Sequence, residues 1–424
     1  MGADAERGVG AGLRVLLAVA CGVSVANVYY AQPLLEQIRT DLNVGAGRLG
    51  LVTAVTQLGY LLGLVLIVPL GDLVSRRLLI VAQALVAAAA LAVAGLSGTM
   101  VVFFAASAAV GIACVVVQVI VAYAAALSSP GQRGTVVGTV TSGVVIGILL
   151  ARTASGFVAD LLGWRAVYFM SAGLMLMLAV ALGRLLPRDN TPRARVSYPA
   201  LISSLLTLTA RDRTFRVRSV LGLLMFGCFG AVWGSIALPL SAAPWHLSAG
   251  QIGLFGIAGA AGALSAGRAG MLADRGHAQA VSGISLALLA LSWAGTQAAP
   301  HSLLLLAIGV VFLDFAGQAL HVTSQHLIVS TDPAASSRVI GSYMVYYSAG
   351  TGGGAIAATS LYGLAGWGAV SAFGTGLSIL ALLVWGTDRL RQRGQGQAPR
   401  PGSGTAAPSA SAVRQSRQPA KECS

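Results

Sequence analysis

Residues 130–167 read "PGQRGTVVGTVTSGVVIGILLARTASGFVADLLGWRAV", and residues 333–370 read "PAASSRVIGSYMVYYSAGTGGGAIAATSLYGLAGWGAV". The second stretch begins 203 positions after the first (333 − 130). Without a gap, Pro130 meets Pro333, Gly138 meets Gly341, Gly147 meets Gly350, and "GWRAV" at 163–167 meets "GWGAV" at 366–370. Self-similarity at a fixed offset marks a duplicated unit. One position off the same offset, Asp72 meets Asp274. Half of the chain is therefore expected to repeat the other half.

Each copy is too apolar for a soluble domain. Only 9% of the 424 residues are charged, against about 25% in soluble proteins, and mean hydropathy is +0.79. A bilayer core of roughly 30 Å takes about 20 helical residues. Apolar stretches of that kind run over 13–35, 50–70, 78–97, 101–127, 135–160, 165–186, 217–241, 250–271, 279–298, 302–329, 340–363 and 367–387. The expected fold is an all-α integral membrane protein with twelve transmembrane helices in two parallel six-helix repeats. An even number of spans per repeat keeps the copies in the same orientation. Arg7 and Arg14 precede the first run as in a signal peptide, but the run continues to about Leu35 without a small-residue cleavage site, so it reads as a retained span.

Charge sets the direction. Alternating the connections places 23 of the 27 basic residues on one side, and only Arg39, Arg48 and Arg165 on the other, with Arg152 inside a span. Positive loops stay in the cytoplasm, so both termini are expected inside the cell membrane. The net charge of +14 is spread in short clusters between apolar runs, which is no nucleic-acid face. The chain divides into an N-terminal segment at 1–12, a first bundle at 13–186, an Arg/Pro-rich central loop at 187–216, a second bundle at 217–388 and a Gly/Pro/Ser/Gln-rich tail at 389–424, read as disordered. The four cysteines show no paired spacing, and neither a disulfide framework nor a zinc site is indicated.

"PLGDLVSRR" (69–77) and "GMLADRGH" (270–277), one repeat apart in loops on the basic side, resemble the Gly…Asp-Arg…Gly-Arg-Arg signature of the major facilitator superfamily. The first copy keeps Asp72, Arg76 and Arg77; the second keeps Gly270, Asp274, Arg275 and Gly276. The resemblance implies a cytoplasmic gate built from these residues. "NVYYAQPLL" (27–35), "TQLGYLLGL" (56–64), "GILLARTASG" (147–156) and "LDFAGQALHVTSQ" (313–325) are similar to the bacterial twelve-helix drug:proton antiporter and sugar or nucleoside efflux branch. Where antiporters of that branch carry a Gly-Pro pair in the fifth helix, this chain has Leu150-Ala151-Arg152. The resemblance further implies a central cavity lined by helices one, four, seven and ten.

Asp314, Gln318, His321 and Gln325 are spaced 4, 3 and 4, which puts all four on one helix face over about 16 Å. A charge at bilayer depth costs at least about 2.5–3.5 kcal/mol, so such residues face a partner or a wet cavity. Asp314 is the one acid deep within a span, and a proton-coupled carrier needs a group whose proton affinity its surroundings can move. Asp314 is therefore the expected proton-coupling residue, with Arg152 at comparable depth as its counter-charge and His321 second because imidazole titrates near neutrality. Arg152 snorkelling outward, never meeting Asp314, is the alternative. Helix one contributes Asn27, Tyr30 and Gln32 to the expected cavity; helix two contributes Gln57 and Tyr60; helix four contributes Gln118, which the 203 offset sets opposite His321. The same offset pairs Tyr30 with Trp233, and Tyr346 adds aromatic surface.

The resemblance implies a secondary transporter exporting small organic molecules by alternating access in exchange for protons. The alternative is a proton symporter importing a sugar, nucleoside or aromatic acid. No Gly-Lys phosphate loop, paired acidic metal motif or His-metal spacing is present, so neither an enzyme nor a nucleotide-driven pump is expected. No cofactor is required: the proton gradient supplies the energy. The partners are a small-molecule substrate, protons and the lipid bilayer, with no nucleic acid, and the carrier is expected to work as a monomer.

Overall fold

The computed structural model describes residues 10–43, 45, 50–129, 132–187, 209–210, 212–258, 267–331 and 336–396. The first half comprises α1 (Ala11–Ala26), α2 (Ala31–Asp41), α3 (Gly50–Leu66), α4 (Arg76–Leu96), α5 (Met100–Cys114), α6 (Val116–Leu127), α7 (Arg133–Leu162) and α8 (Trp164–Leu185). The second comprises α9 (Arg213–Trp233), α10 (Ala237–Ser241), α11 (Ala249–Ala258), α12 (Ala278–Gln297), α13 (Leu303–Thr331) and α14 (Ser336–Gly396). Among the described residues, ten helices are long and apolar enough to cross a bilayer. Two expectations account for the difference from twelve. The predicted span 250–271 is described only in part, because 259–266 lie outside the described residues. The predicted spans 340–363 and 367–387 are joined in α14, which bends at Ala365 and Gly366, where the backbone leaves helical geometry.

That bend carries the repeat into three dimensions. Gly366 has φ +71 and Gly163, 203 positions earlier, has φ +81. Only glycine adopts the left-handed region at little cost, so the shared Gly-Trp pairs mark equivalent sharp turns. Gly147 and Gly350 are equivalent too. A Cβ on Gly147 would meet the Gly22 carbonyl oxygen at 2.2 Å, and one on Gly350 would meet that of Leu223 at 2.3 Å. Small residues let membrane helices cross at such range, so α7 lies on α1 as α14 lies on α9.

Two helix breaks align as well. The first crossing turns at residues 27–30 between α1 and α2, and the seventh predicted span turns at 234–236 between α9 and α10. Each break is followed by a proline, Pro33 and Pro239, whose missing N–H leaves a carbonyl of the preceding turn without its helical partner. These prolines are 206 apart (239 − 33), so Trp233, the last residue of α9, stands opposite the end of α1 and not opposite Tyr30. The ungapped pairing of Tyr30 with Trp233 is thereby corrected.

Each half buries its own core. Leu17, Leu34, Leu91, Phe103 and Met175 belong to the first; Leu221, Trp293, Leu313 and Val370 belong to the second. The seventh span starts earlier than its apolar run suggested, because Asp212 caps α9 by accepting from the Phe215 N–H at 3.1 Å. Arg218, counted among the 23 charges of the basic side, is a helix residue only 1% exposed, donating to Ser282 Oγ at 2.8 Å and Gln279 Oε1 at 2.6 Å. α14 continues to Gly396, into the segment read as a disordered tail; residues 397–424 lie outside the described residues, as do 188–208 of the central loop. Residues from Gly386 onward form a separate unit.

Candidate functional site

A cavity of about 410 Å³ lies between the two halves. Its wall is built by residues of α1, α3, α6, α7, α9, α13 and α14, and is mostly apolar. The α13 ladder faces it as a unit: Asp314, Gln318, His321 and Gln325 all line it. A helix turns 100° per residue, so 4-3-4 spacing keeps these four within one narrow stripe. Gln57 and Tyr60 of α3 and Gln118 of α6 line it too, with Gln118 Nε2 donating to the Tyr60 hydroxyl at 3.3 Å. The His321 ring lies edge-on to Phe226, with Nδ1 3.3 Å from the Tyr343 hydroxyl and Nε2 3.2 Å from Gln325 Nε2.

The two charges of the wall, Arg152 and Asp314, form no ion pair. Trp233 stands in contact with both. Its indole N–H donates to Asp314 Oδ1 at 3.2 Å, and its ring lies under the Arg152 guanidinium, 3.8 Å from centroid to Cζ. The same guanidinium is 5.1 Å from the Tyr29 ring and 5.5 Å from the Phe229 ring, and its Nε donates to Gln32 Oε1 at 2.6 Å. A desolvated cation over aromatic faces gains about 2 kcal/mol or more. Arg152 thus stays inside the protein, 2% exposed, without a carboxylate and without snorkelling. Asp314 is 5% exposed; its other oxygen, Oδ2, takes no protein hydrogen bond, Arg152 Nη2 has no partner either, and both residues line the cavity.

Five expected cavity residues sit elsewhere. Asn27 ties helices together, donating to the Val23 carbonyl at 3.0 Å and accepting from Ser171. Tyr30 packs on the first core, and Gln32 lies behind Arg152. Tyr346 turns away, its hydroxyl donating to Thr209 Oγ1 at 3.1 Å and its ring edge-on to Phe215. Trp233 itself lies behind the wall and acts on it through its two contacts. In place of these residues, Tyr29 and Tyr347 face the cavity, and their hydroxyls meet at 2.5 Å across the halves. The tyrosine pairs 29–30 and 346–347 look alike in sequence, and only the helix rotation decides which member points inward. The Val/Ile/Leu stripe of α7, from Val137 to Leu149, also lines the cavity. A search for polar residues passes over such a stripe.

The cavity extends toward the arginine-rich face, with Val137, Ile340 and Gln325 near the helix ends there. Toward the opposite face the halves close on each other. α7 touches α11: a Cβ on Gly156 would meet the Ala249 carbonyl oxygen at 2.3 Å, and one on Gly253 would meet that of Arg152 at 2.5 Å. α3 touches α14 in the equivalent way, with Gly50 against Ala355 and its N–H donating to Thr359 Oγ1 at 3.1 Å. Asp160, at the end of α7, accepts from Ser248 Oγ at 2.6 Å and from the Gly250 N–H at 2.8 Å, in the first turn of α11. Negative charge suits a helix N-terminus. Nothing in the sequence spacing announced this contact, since 88 residues separate Asp160 from Ser248.

The expected gate residues fall at the arginine-rich face. Arg76 Nε donates to the Gly71 carbonyl at 3.1 Å and Arg77 donates to the Gly183 carbonyl. Asp274 meets His326 Nδ1 at 3.3 Å, linking the turn before α12 to the end of α13. Gly276 has φ +85, which explains a glycine there, and Gly270 lies against Val322. Asp72 belongs to the tight turn Val68–Asp72, and Arg275 to the turn Ala273–His277. No His, Cys, Asp and Glu cluster suited to a metal occurs among the described residues.

Residues 17–244 match the family model described as Major Facilitator Superfamily. The Uncharacterized transporter YgaY of Escherichia coli O157:H7 is 40% identical over 373 residues, covering 88% of this chain and 94% of its own. "Probable transporter SCO4007" of Streptomyces coelicolor is 32% identical over 365 residues, covering 84% and 83% respectively. Among solved structures, a bacterial homolog of the human lysosomal transporter Spinster, in an inward-facing and occupied conformation, superposes with a TM-score of 0.71 at 13% identity, over 90% of this chain and 96% of its own.

Proposed function

The chain belongs to the major facilitator superfamily and is a multi-pass membrane transporter, and from that premise we propose that it exports small amphipathic molecules in exchange for protons. In this reading it crosses the cell membrane twelve times, with the arginine-rich face and both termini in the cytoplasm. The cavity then belongs to an inward-facing state, loaded from the cytoplasm and sealed outside by the α7–α11 and α3–α14 contacts. Transport requires those contacts to part while the halves close over the inner end, as two rigid bundles rocking about a fixed site.

The observation that carries the coupling is the placement of Asp314: a carboxylate inside the protein, held at one oxygen by Trp233, with the other oxygen on the cavity. A proton and a substrate group reaching that oxygen compete for it. Protonation also weakens the indole hydrogen bond, since bonds to charged acceptors are roughly twice as strong as neutral ones. One protonation event therefore alters both substrate binding and the tryptophan that Arg152 rests on. The test is efflux of a fluorescent amphipathic panel from cells, with and without a protonophore, for the native protein and Asp314→Asn at equal expression. Efflux that the protonophore abolishes and that Asp314→Asn lacks agrees with the reading. Efflux indifferent to both rejects it.

A further inference from the structure

Two opposite charges sit on one apolar wall without meeting. Arg152 and Asp314 are each at least nine-tenths buried, share contacts with a single indole, and form no ion pair. Both residues line the cavity, and each has a polar atom without a protein hydrogen-bond partner: Arg152 Nη2 and Asp314 Oδ2. Around them the wall is aromatic and aliphatic, with Tyr29 and Phe229 closest to the guanidinium. A half-neutralised buried charge is costly, and the cost falls when a partner with hydrogen-bonding groups completes it. A ligand with a single charge would complete one member and leave the other. A ligand with both charges completes both and adds no net charge to the membrane interior.

We propose that the substrates are zwitterions with an apolar or aromatic body, their carboxylate held by the Arg152 guanidinium and their ammonium by Asp314 Oδ2. This rests on the reading of the cavity as the transport site and goes on to name its chemistry. The indole between the two charges keeps them roughly a ring's breadth apart, which suits a separation of about 7 Å, the length of two extended residues. A dipeptide-sized molecule also suits a cavity of about 410 Å³, within the range of about 300–1,000 Å³ that small-molecule pockets occupy. The ammonium of such a substrate and the coupling proton seek the same oxygen of Asp314, so each displaces the other.

The experiment is equilibrium binding to the purified full-length protein in lipid nanodiscs, with L-phenylalanyl-L-phenylalanine, its N-acetyl form, its methyl ester and the doubly blocked form. The free dipeptide is expected to bind at least tenfold more tightly than either singly blocked form. In Arg152→Gln the methyl ester should bind as well as the free dipeptide, and in Asp314→Asn the N-acetyl form should do so. Blocked forms binding the native protein as tightly as the free dipeptide would overturn the proposal, and so would no binding by any of the four. The native series decides the question even where a variant fails to fold. Binding at equilibrium needs no gradient and no direction, so failure of proton-coupled export leaves this result standing, and the reverse holds as well.

Discussion

Replacing Gly156 by alanine should hold the two halves apart on the sealed face. The added Cβ would lie 2.3 Å from the Ala249 carbonyl oxygen and 2.9 Å from the Gly250 Cα, both backbone atoms with no soft end to yield. Ordinary contact begins near 3.4 Å, so α7 and α11 must separate by about 1 Å wherever they close. Overpacking of this kind costs about 1–3 kcal/mol, and the cost falls on the sealed state alone because the two helices belong to different halves. At about 1.4 kcal/mol per tenfold, a mid-range cost of ~2 kcal/mol raises the ratio of unsealed to sealed molecules by about 30-fold. Nitroxide labels at Thr40→Cys and His301→Cys, exposed positions on that face in opposite halves, report the change by pulsed dipolar spectroscopy. Cys21, Cys114 and Cys228 are buried, and Cys423 is replaced by serine. The long-distance population should grow in Gly156→Ala. Gly147→Ala supplies the contrast: its Cβ would strike Gly22 at 2.2 Å, but both residues lie in the first half. It should lower thermal stability without shifting the distance distribution. A parental distribution in Gly156→Ala, or an equal shift in Gly147→Ala, would refute the reasoning.

Other substitutions separate the remaining contacts. Trp233→Phe keeps an aromatic ring beneath Arg152 but removes the N–H on Asp314; a bond to a charged acceptor is worth about 1.5–3 kcal/mol, and the pH profile of transport should move while expression and melting temperature stay near the parent. Asp160→Asn keeps the size of a side chain that bridges the halves but removes its charge from the start of α11. Because the site is exposed, the loss is about 0.3–1 kcal/mol, visible as a two- to five-fold rise in the unsealed population at low salt and a smaller one at high salt. Gly163→Ala and Gly366→Ala each force a Cβ into a positive-φ turn at about 1–2 kcal/mol; the two should lower the melting temperature by similar amounts, as equivalent positions of one repeat.

Much of the architecture could be read from the chain because the bilayer narrows the choices. Apolar runs of about 20 residues, the basic bias of alternate loops and the 203-residue repeat all express constraints that act along the sequence. The α13 ladder was legible for the same reason: helical spacing alone aligns Asp314 with Gln325. What escaped the sequence depends on rotation and on contacts between distant segments. Whether Tyr29 or Tyr30 faces the cavity turns on one 100° step. Arg218 was counted with Arg213 and Arg216 among the charges of the basic face, yet it lies within α9 and is buried. The third case is Trp233. Its aromatic character pointed to the cavity, but its part is to touch Arg152 and Asp314 at once, a geometry that no spacing in one helix encodes.

The most direct test of the account is to load proteoliposomes with the free dipeptide, impose an inward proton gradient and record dipeptide release together with proton entry. The account predicts that each accelerates the other in the native protein and that both coupled fluxes vanish in Asp314→Asn while substrate exchange without a gradient persists. Proton entry that ignores the substrate, or gradient-driven release that survives Asp314→Asn, would contradict it.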